Sequence, residues 1–125
     1  MIKCPICGKH EFQRDSDFAV CSVCGWENDG LQYDDPNDWE GANCLSQNEH
    51  KLYYELSLRD DKKSQVQTIH KKYKDAIREI YVKNTDHDRR VDMEKVSLEL
   101  NETHEEFTES LYLLVNAEAN AKEAV

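Results

Sequence analysis

Two copies of the motif C-x-x-C-G lie near the start of this 125-residue chain, from Cys4 to Gly8 and from Cys21 to Gly25. A gap of two residues lets one tight turn aim two thiolates at a single ion, and the glycine that follows allows backbone N–H groups to face the sulfurs. Two such turns supply the closed tetrahedral ligand set of a structural zinc site, which has no open position for chemistry. The motifs therefore predict one structural Zn²⁺, bound by Cys4, Cys7, Cys21 and Cys24.

Other chemistry shares some of these features. Iron in a four-sulfur site has the same ligands, so the pattern favours zinc without excluding iron. Thioredoxin-like redox chemistry uses one C-x-x-C in a parallel α/β unit, and this sequence has no pattern for such a unit. Disulfides are disfavoured because we expect the protein to lie in a reducing compartment, the cytoplasm. The fifth cysteine, Cys44, is predicted to be a half-buried apolar residue, and His10 a surface histidine. We place both residues outside the predicted metal site.

Glycine and proline divide the chain into two parts. All four glycines and both prolines lie within the first 41 residues, whereas residues 45–125 contain neither and carry apolar residues at helical spacing. We therefore expect a small α+β protein. Residues 1–44 should form a zinc-ribbon module with short β-hairpins, and residues 45–125 a helical region of three helices that includes a long antiparallel hairpin.

Local signals place the three expected helices. The capping box Ser46-Gln47-Asn48-Glu49 begins the first helix, which we expect to end at about Arg59. Apolar residues in steps of three and four predict a second helix across Val66–Ile80 and a third across Met93–Leu114. The alternation from Val96 to Leu100 is also compatible with a short strand, so the start of the third helix stays open.

Charge favours pairing of the last two helices. Residues 62–83 carry seven bases and two acids, whereas residues 84–125 carry eleven acids and four bases. Antiparallel packing would place these opposite charges near each other. The basic helix therefore has a counterpart within the chain.

The formal net charge of the whole chain is −10. This charge makes nucleic acid an improbable partner, because a phosphate backbone attracts bases, and it fits a basic protein partner or simply a soluble surface. We see no signal peptide before Cys4 and no apolar stretch approaching the roughly 20 residues of a membrane helix. The expectation is a cytoplasmic protein without membrane partners.

An acidic, aromatic segment follows the second cysteine turn. Residues 26–40 hold six acids, two tryptophans and one tyrosine, with no base. Aromatic side chains supply buried anchors in interfaces and acids steer basic partners. We expect Trp26 to cover the metal site as a core residue, and the acids lack the spacing of an EF-hand calcium loop. The predicted partner-binding residues are Tyr33, Asp34, Asp35, Asp38, Trp39 and Glu40.

Catalytic patterns are not evident in the sequence. There is no P-loop, no G-x-S-x-G and no H-E-x-x-H motif. The remaining histidines are scattered, and we expect them to be solvated or at the edge of a core: His50, His70, His87 and His104. We therefore expect no enzymatic activity.

The first 56 or so residues resemble the cysteine-rich CPCC domain of small bacterial proteins. Cys4-Pro5-Ile6-Cys7-Gly8 resembles the family's opening C-P-C-C-G, and the stretch from Cys21 to Asp29 resembles its C-P-V-C-x-W-E-D-D. Asn43-Cys44-Leu45-Ser46, with Glu49 and Tyr54, resembles its N-x-L-S-x-x-E helix start. Ile6 stands where the family name implies a third cysteine, which leaves two ligands in each turn.

The resemblance implies a zinc-binding protein without enzymatic activity. Similar proteins look like products of bacterial toxin-immunity loci. Our leading hypothesis is therefore a protein that acts by binding another protein, as an immunity protein that neutralises a basic toxin such as a nuclease. The alternative is a zinc-ribbon regulator or a nucleic-acid-associated factor.

Overall fold

The computed structural model describes the backbone of residues 2–123 and the side chains of residues 2–116. Over this range the protein is a small α+β fold with one two-stranded antiparallel sheet and four helices. Its contacts separate two compact units, Met1–Arg59 and Asp60–Val125. Within the described backbone, no helix is both long enough and apolar enough to cross a membrane.

The sheet of the first unit frames the first cysteine turn. Strands β1 (Ile2–Lys3) and β2 (Glu11–Phe12) pair antiparallel, with Ile2 opposite Phe12. The second cysteine turn is flanked in a similar way by an isolated antiparallel bridge between Val20 and Glu27. Each turn therefore extends from a short antiparallel pairing that holds its two ends together.

Two helices complete the first unit. Helix α1 (Gly30–Asp34) is capped by Asp29, whose carboxylate accepts from the N–H groups of Leu31 and Gln32. Helix α2 (Gln47–Ser57) begins with the predicted capping box, in which the Ser46 hydroxyl accepts from the Glu49 N–H at 3.1 Å and the Glu49 carboxylate accepts from the Ser46 N–H at 2.8 Å. The α2 start is thus confirmed, whereas α1 was not predicted.

Helices α3 (Lys63–Lys83) and α4 (Met93–Glu123) form the second unit. Tyr73 in α3 stacks on Phe107 in α4, while Asn84, just after α3, donates to Glu99 near the start of α4. Later positions of α3 thus meet earlier positions of α4, so the two helices are antiparallel. Residues 96–100 are helical, which rules out the strand alternative.

The predicted three-helix region over residues 45–125 is not confirmed. Helix α2 lies within the first compact unit, and only α3 and α4 of the described helices lie in the second. The break falls where α2 ends, a few residues before α3 begins. The sequence pattern grouped α2 with α3 and α4 because it indicates which residues are helical. It does not indicate the partner against which each helix packs.

Candidate metal centre

The two cysteine turns have the same backbone conformation. In each, the N–H of the terminal glycine donates to the carbonyl of the first cysteine, from Gly8 to Cys4 and from Gly25 to Cys21, both at 3.0 Å. Both glycines have positive φ angles, +67° and +80°, a region that side chains disfavour. The repeated C-x-x-C-G motif therefore encodes one turn twice.

The fold brings the four predicted ligand residues together. The sulfur atoms of Cys4, Cys7, Cys21 and Cys24 all lie within 4.8 Å of one another. The closest pairs join the two turns, with 3.5 Å between the Sγ atoms of Cys4 and Cys24 and 3.6 Å between those of Cys7 and Cys21. Each turn thus contributes two thiols to a single cluster.

The cluster has the size of a tetrahedral metal site. Metal–sulfur bonds of about 2.3 Å in a tetrahedron place the sulfurs about 3.8 Å apart, close to the two shortest separations observed here. The four thiols carry no disulfide. The donor set and its spacing therefore fit one metal ion with four sulfur ligands.

Backbone N–H groups point at the sulfurs in the way expected for thiolates. Lys9 donates to the Cys7 Sγ at 3.5 Å, and both Val23 and Cys24 donate to the Cys21 Sγ at 3.4 and 3.5 Å. Such bonds stabilise negative charge on sulfur and fix the direction of each ligand. The donors lie two or three residues after the cysteine that accepts, so the turns themselves supply them.

The environment shifts the thiol pKa values in opposite directions. Burial raises the pKa of Cys4 and of Cys24, since a buried thiolate loses its hydration. Burial also acts to raise the pKa of Cys7, but hydrogen bonds from the Lys9 N–H and the neighbouring thiols outweigh it and lower this pKa. A divalent cation between the sulfurs would favour all four thiolates and offset their burial.

An apolar core covers the cluster. Cys4, Cys21 and Cys24 are buried together with Phe12 and with Trp26, which has no exposed surface. Cys7 is half-buried. The predicted core role of Trp26 is confirmed, and the four cysteines belong to one hydrophobic cluster with Phe12 and Trp26.

His50 is a residue whose position sequence reasoning missed. It was expected at a solvated or core-edge position, yet only 5% of it is exposed, and its Nε2 lies 2.8 Å from the carbonyl oxygen of Cys24. Its ring packs edge-on against Trp26, with 5.4 Å between ring centroids. The side chain reaches the second turn from the first half of α2. No local pattern marks this role, because it depends on where α2 packs.

The other candidates stay outside the described cluster. Cys44 is half-buried with a positive φ of 55°, and neither it nor His10 belongs to the four-sulfur group. His10 is half-buried and packs edge-on against Phe12. His70 and His104 lie half-buried beside aromatic rings of the second unit, whereas His87 is exposed. Cys44 thus has the predicted burial, while His10 is less exposed than a surface histidine.

The predicted partner-binding residues lie in and just after α1. Tyr33 is 41% exposed. Asp34, Asp35 and Glu40 are also exposed, whereas Asp38 and Trp39 are half-buried. Of the two aromatic residues, Tyr33 therefore presents the more accessible surface.

A network of hydrogen bonds from buried side-chain amides holds this segment in place. It was not predicted from the sequence. Gln32 has no exposed surface, and its side chain makes four hydrogen bonds. The amide nitrogen donates to the carbonyls of Asp38 and Leu45, and the amide oxygen accepts from the N–H and the side chain of Asn43. Gln47 donates to the carbonyls of Gln32 and Tyr33. Polar side chains of this kind give no sequence signal for burial.

The backbone of Gly41 packs directly against the same network and leaves no room for a side chain. A Cβ atom at this position would lie 2.4 Å from the Gln32 side chain and 2.7 Å from the Asp29 carboxylate. That carboxylate also accepts from the Ala42 N–H at 3.0 Å. The segment from Asp29 to Ala42 is therefore held at both ends by a buried aspartate and in its middle by a buried glutamine.

The fold and the cluster define a cysteine-rich module with four thiols positioned to bind a metal ion. The family model described as Cysteine-rich CPCC matches residues 2–72, more than half of the chain. The chain therefore belongs to the cysteine-rich CPCC family, as its motifs predicted, and the match runs past residue 56 into α3. Comparison with curated proteins gave no match, and comparison with solved structures gave none.

Proposed function

We propose that this chain is a non-enzymatic zinc protein that acts by binding another protein. One structural Zn²⁺ held by the four cysteines stabilises the first unit, and the acidic surface formed by Tyr33, Asp34, Asp35, Asp38, Trp39 and Glu40 meets a basic partner. The observation that carries the proposal is that one compact unit contains both a closed four-sulfur cluster and a largely exposed acidic segment that buried hydrogen bonds hold in place.

The choice of zinc rests on ligand chemistry. Four thiolates in a closed tetrahedral set are the ligands of structural zinc sites, and such a set leaves no coordination position for a substrate. Cys7 is half-buried, and the other three cysteines are buried. Their sulfur atoms lie against one another and against backbone N–H donors. A metal in this position stabilises the fold of the turns and does no chemistry.

Preorganisation supports the role of the acidic segment. Asp29 caps α1, and Gln32 and Gln47 bind the main chain beneath it. Asp35 and Asp38 each accept from the N–H two residues further on, at Asn37 and Glu40. A segment fixed in this way loses little conformational entropy when it binds.

A basic partner with a phosphate-binding cleft suits such a surface. Carboxylates placed where a nucleic-acid backbone would lie can occlude a nuclease by charge complementarity. We therefore propose a nuclease toxin as the partner and an immunity protein as the biological role. The net charge of −10 supports a basic partner over nucleic acid.

The test compares two variants with the same change in charge. In the first, Asp34→Asn, Asp35→Asn, Asp38→Asn and Glu40→Gln are combined; the Asn side chains keep an acceptor oxygen for the turns at Asn37 and Glu40. The control combines Glu79→Gln, Glu94→Gln, Glu102→Gln and Glu105→Gln, all of which are exposed in the second unit. The partner is captured from cells, purified and used for association kinetics.

The first variant should associate about ten-fold more slowly at low salt and lose most of its salt dependence, whereas the control should change little. Tyr33→Ala should mainly speed dissociation, because a buried anchor acts after encounter. Capture of nucleic acid alone, or equal binding by both four-acid variants, would reject the proposed partner surface. Neither result would affect the zinc site.

A further inference from the structure

The helical hairpin of the second unit has an open groove along one side. The groove has a volume of about 300 Å³. Its floor is the stacked pair Tyr73 and Phe107, whose ring centroids are 4.4 Å apart at an angle of 22°. Small side chains from both helices leave room above this pair, and they include Ala76, Thr103 and Ser110. The groove is therefore shaped to receive side chains from another helix.

The two rims of the groove carry opposite charge. Lys72 lines it from α3, and Glu106 and Glu109 line it from α4. Lys72 and Glu106 each precede one member of the stacked pair, so in this antiparallel hairpin they lie on opposite rims about 3 Å apart along the helix axis, one residue rise to either side of the pair. Each helix as a whole has the same sign of charge as its rim: α3 has six bases and two acids, whereas residues 93–116 of α4 have six acids and one base.

We propose that a second copy of this chain docks on the groove through a two-fold axis parallel to the helices, so that two hairpins form an antiparallel four-helix bundle. This operation places Lys72 of each copy across from Glu106 of the other, within about 3 Å along the helix axis, a distance that the long lysine side chain spans. It also fills the groove above the buried Tyr73–Phe107 pair of both copies and brings Ile69 of one copy beside Ser110 of the other.

Charge is the reason for choosing a second copy over another occupant. A helix of uniformly basic or uniformly acidic character would face a like charge at one of the two rims. A second copy presents an acidic helix to the basic rim and a basic helix to the acidic rim. Because Lys72 and Glu106 lie within about 3 Å along the helix axis, two-fold symmetry satisfies both rims with a single register.

The test measures the mass of the full chain in solution by sedimentation velocity over a range of concentrations. The wild-type protein should be a reversible dimer. Lys72→Glu and Glu106→Lys should each weaken the dimer by about ten-fold or more, because each creates two like-charge contacts. Lys74→Glu and Glu105→Lys change charge on exposed positions of the same helices outside the groove, and they should leave the mass unchanged.

Mixing the two weakened variants gives the sharpest result. In a mixed dimer, Glu at position 72 of one chain meets Lys at position 106 of the other, and the remaining pair is the native Lys72 with Glu106. The mixture should therefore regain the wild-type dissociation constant, and far-ultraviolet circular dichroism checks that each variant keeps its helices. A monomeric wild type at its highest soluble concentration, a dimer that ignores both reversals, or a mixture that stays monomeric would overturn the proposal.

Discussion

Cys4 and Cys44 offer a contrast between a residue of the sulfur cluster and a cysteine outside it. Cys4→Ser should abolish metal binding and unfold the first unit, since structural zinc contributes about 10 kcal/mol or more to folding in small modules. Cys44→Ser should keep the metal, because Cys44 is not part of the four-sulfur group. Metal analysis of the purified variants, with hydrogen exchange across residues 2–59, measures both effects. Equal metal content in the two variants would contradict the assignment of ligands.

Residue spacing was enough to predict the two cysteine turns whose four sulfurs form the cluster, because each C-x-x-C-G turn is a local structure. The burial of Gln32, Asn28 and His50 was not predictable in the same way. Most of their side-chain hydrogen-bond partners lie 11 to 26 residues away along the chain, at Arg14, Asp17, Asn43, Leu45 and Cys24, and Asp38 lies six residues from Gln32. A polar residue gives the same sequence signal whether it faces solvent or a buried carbonyl.

At the scale of elements, sequence signals predicted those helices whose own residues carry the signal. The capping box at Ser46 marks the start of α2 with its own side chains, and the apolar period locates α3 and α4. Helix α1 was missed because its five residues are too few for a periodic pattern, and its stability comes from the Asp29 cap and the buried Gln32. The grouping of α2 with α3 and α4 failed because periodicity does not identify packing partners.

Glu99 makes the pairing of α3 and α4 sensitive to acid. Its carboxylate meets the Lys83 ammonium and accepts from the Asn84 side chain at 2.6 Å, and these two partners lower its pKa below the ordinary value of 4.5. A carboxyl whose pKa is depressed in the folded state stabilises the fold above its unfolded pKa and loses that effect as the pH falls through its folded pKa. The contribution should therefore be complete at pH 7.

Glu99→Gln should lower the midpoint of urea unfolding of the second unit at neutral pH, by the small amount typical of an exposed ion pair. The difference from wild type should shrink as the pH falls through the lowered pKa of Glu99, because the wild-type carboxylate then takes up its proton. Glu105→Gln is the control, because Glu105 is an exposed residue of the same helix. A difference between wild type and Glu99→Gln that stays constant from pH 7 to acid pH would contradict the assigned role of the carboxylate.

At the scale of the whole molecule, the chain combines two units with different sources of stability. In the first unit, the cysteine cluster packs together with the buried Phe12 and Trp26 in a small hydrophobic cluster. The second is a pair of long helices with opposite charge. Small modules with thin hydrophobic cores commonly need a metal or another staple to fold. We therefore propose that one metal ion stabilises the first unit of this CPCC-family protein.

Native mass spectrometry of the protein purified without added metal, combined with elemental analysis, measures whether the cluster binds this ion. The predicted result is one zinc per chain, and removal of the metal by a chelator should open residues 2–59 to hydrogen exchange while α3 and α4 keep their protection. A chain that carries no metal and still protects residues 2–59 would contradict the account.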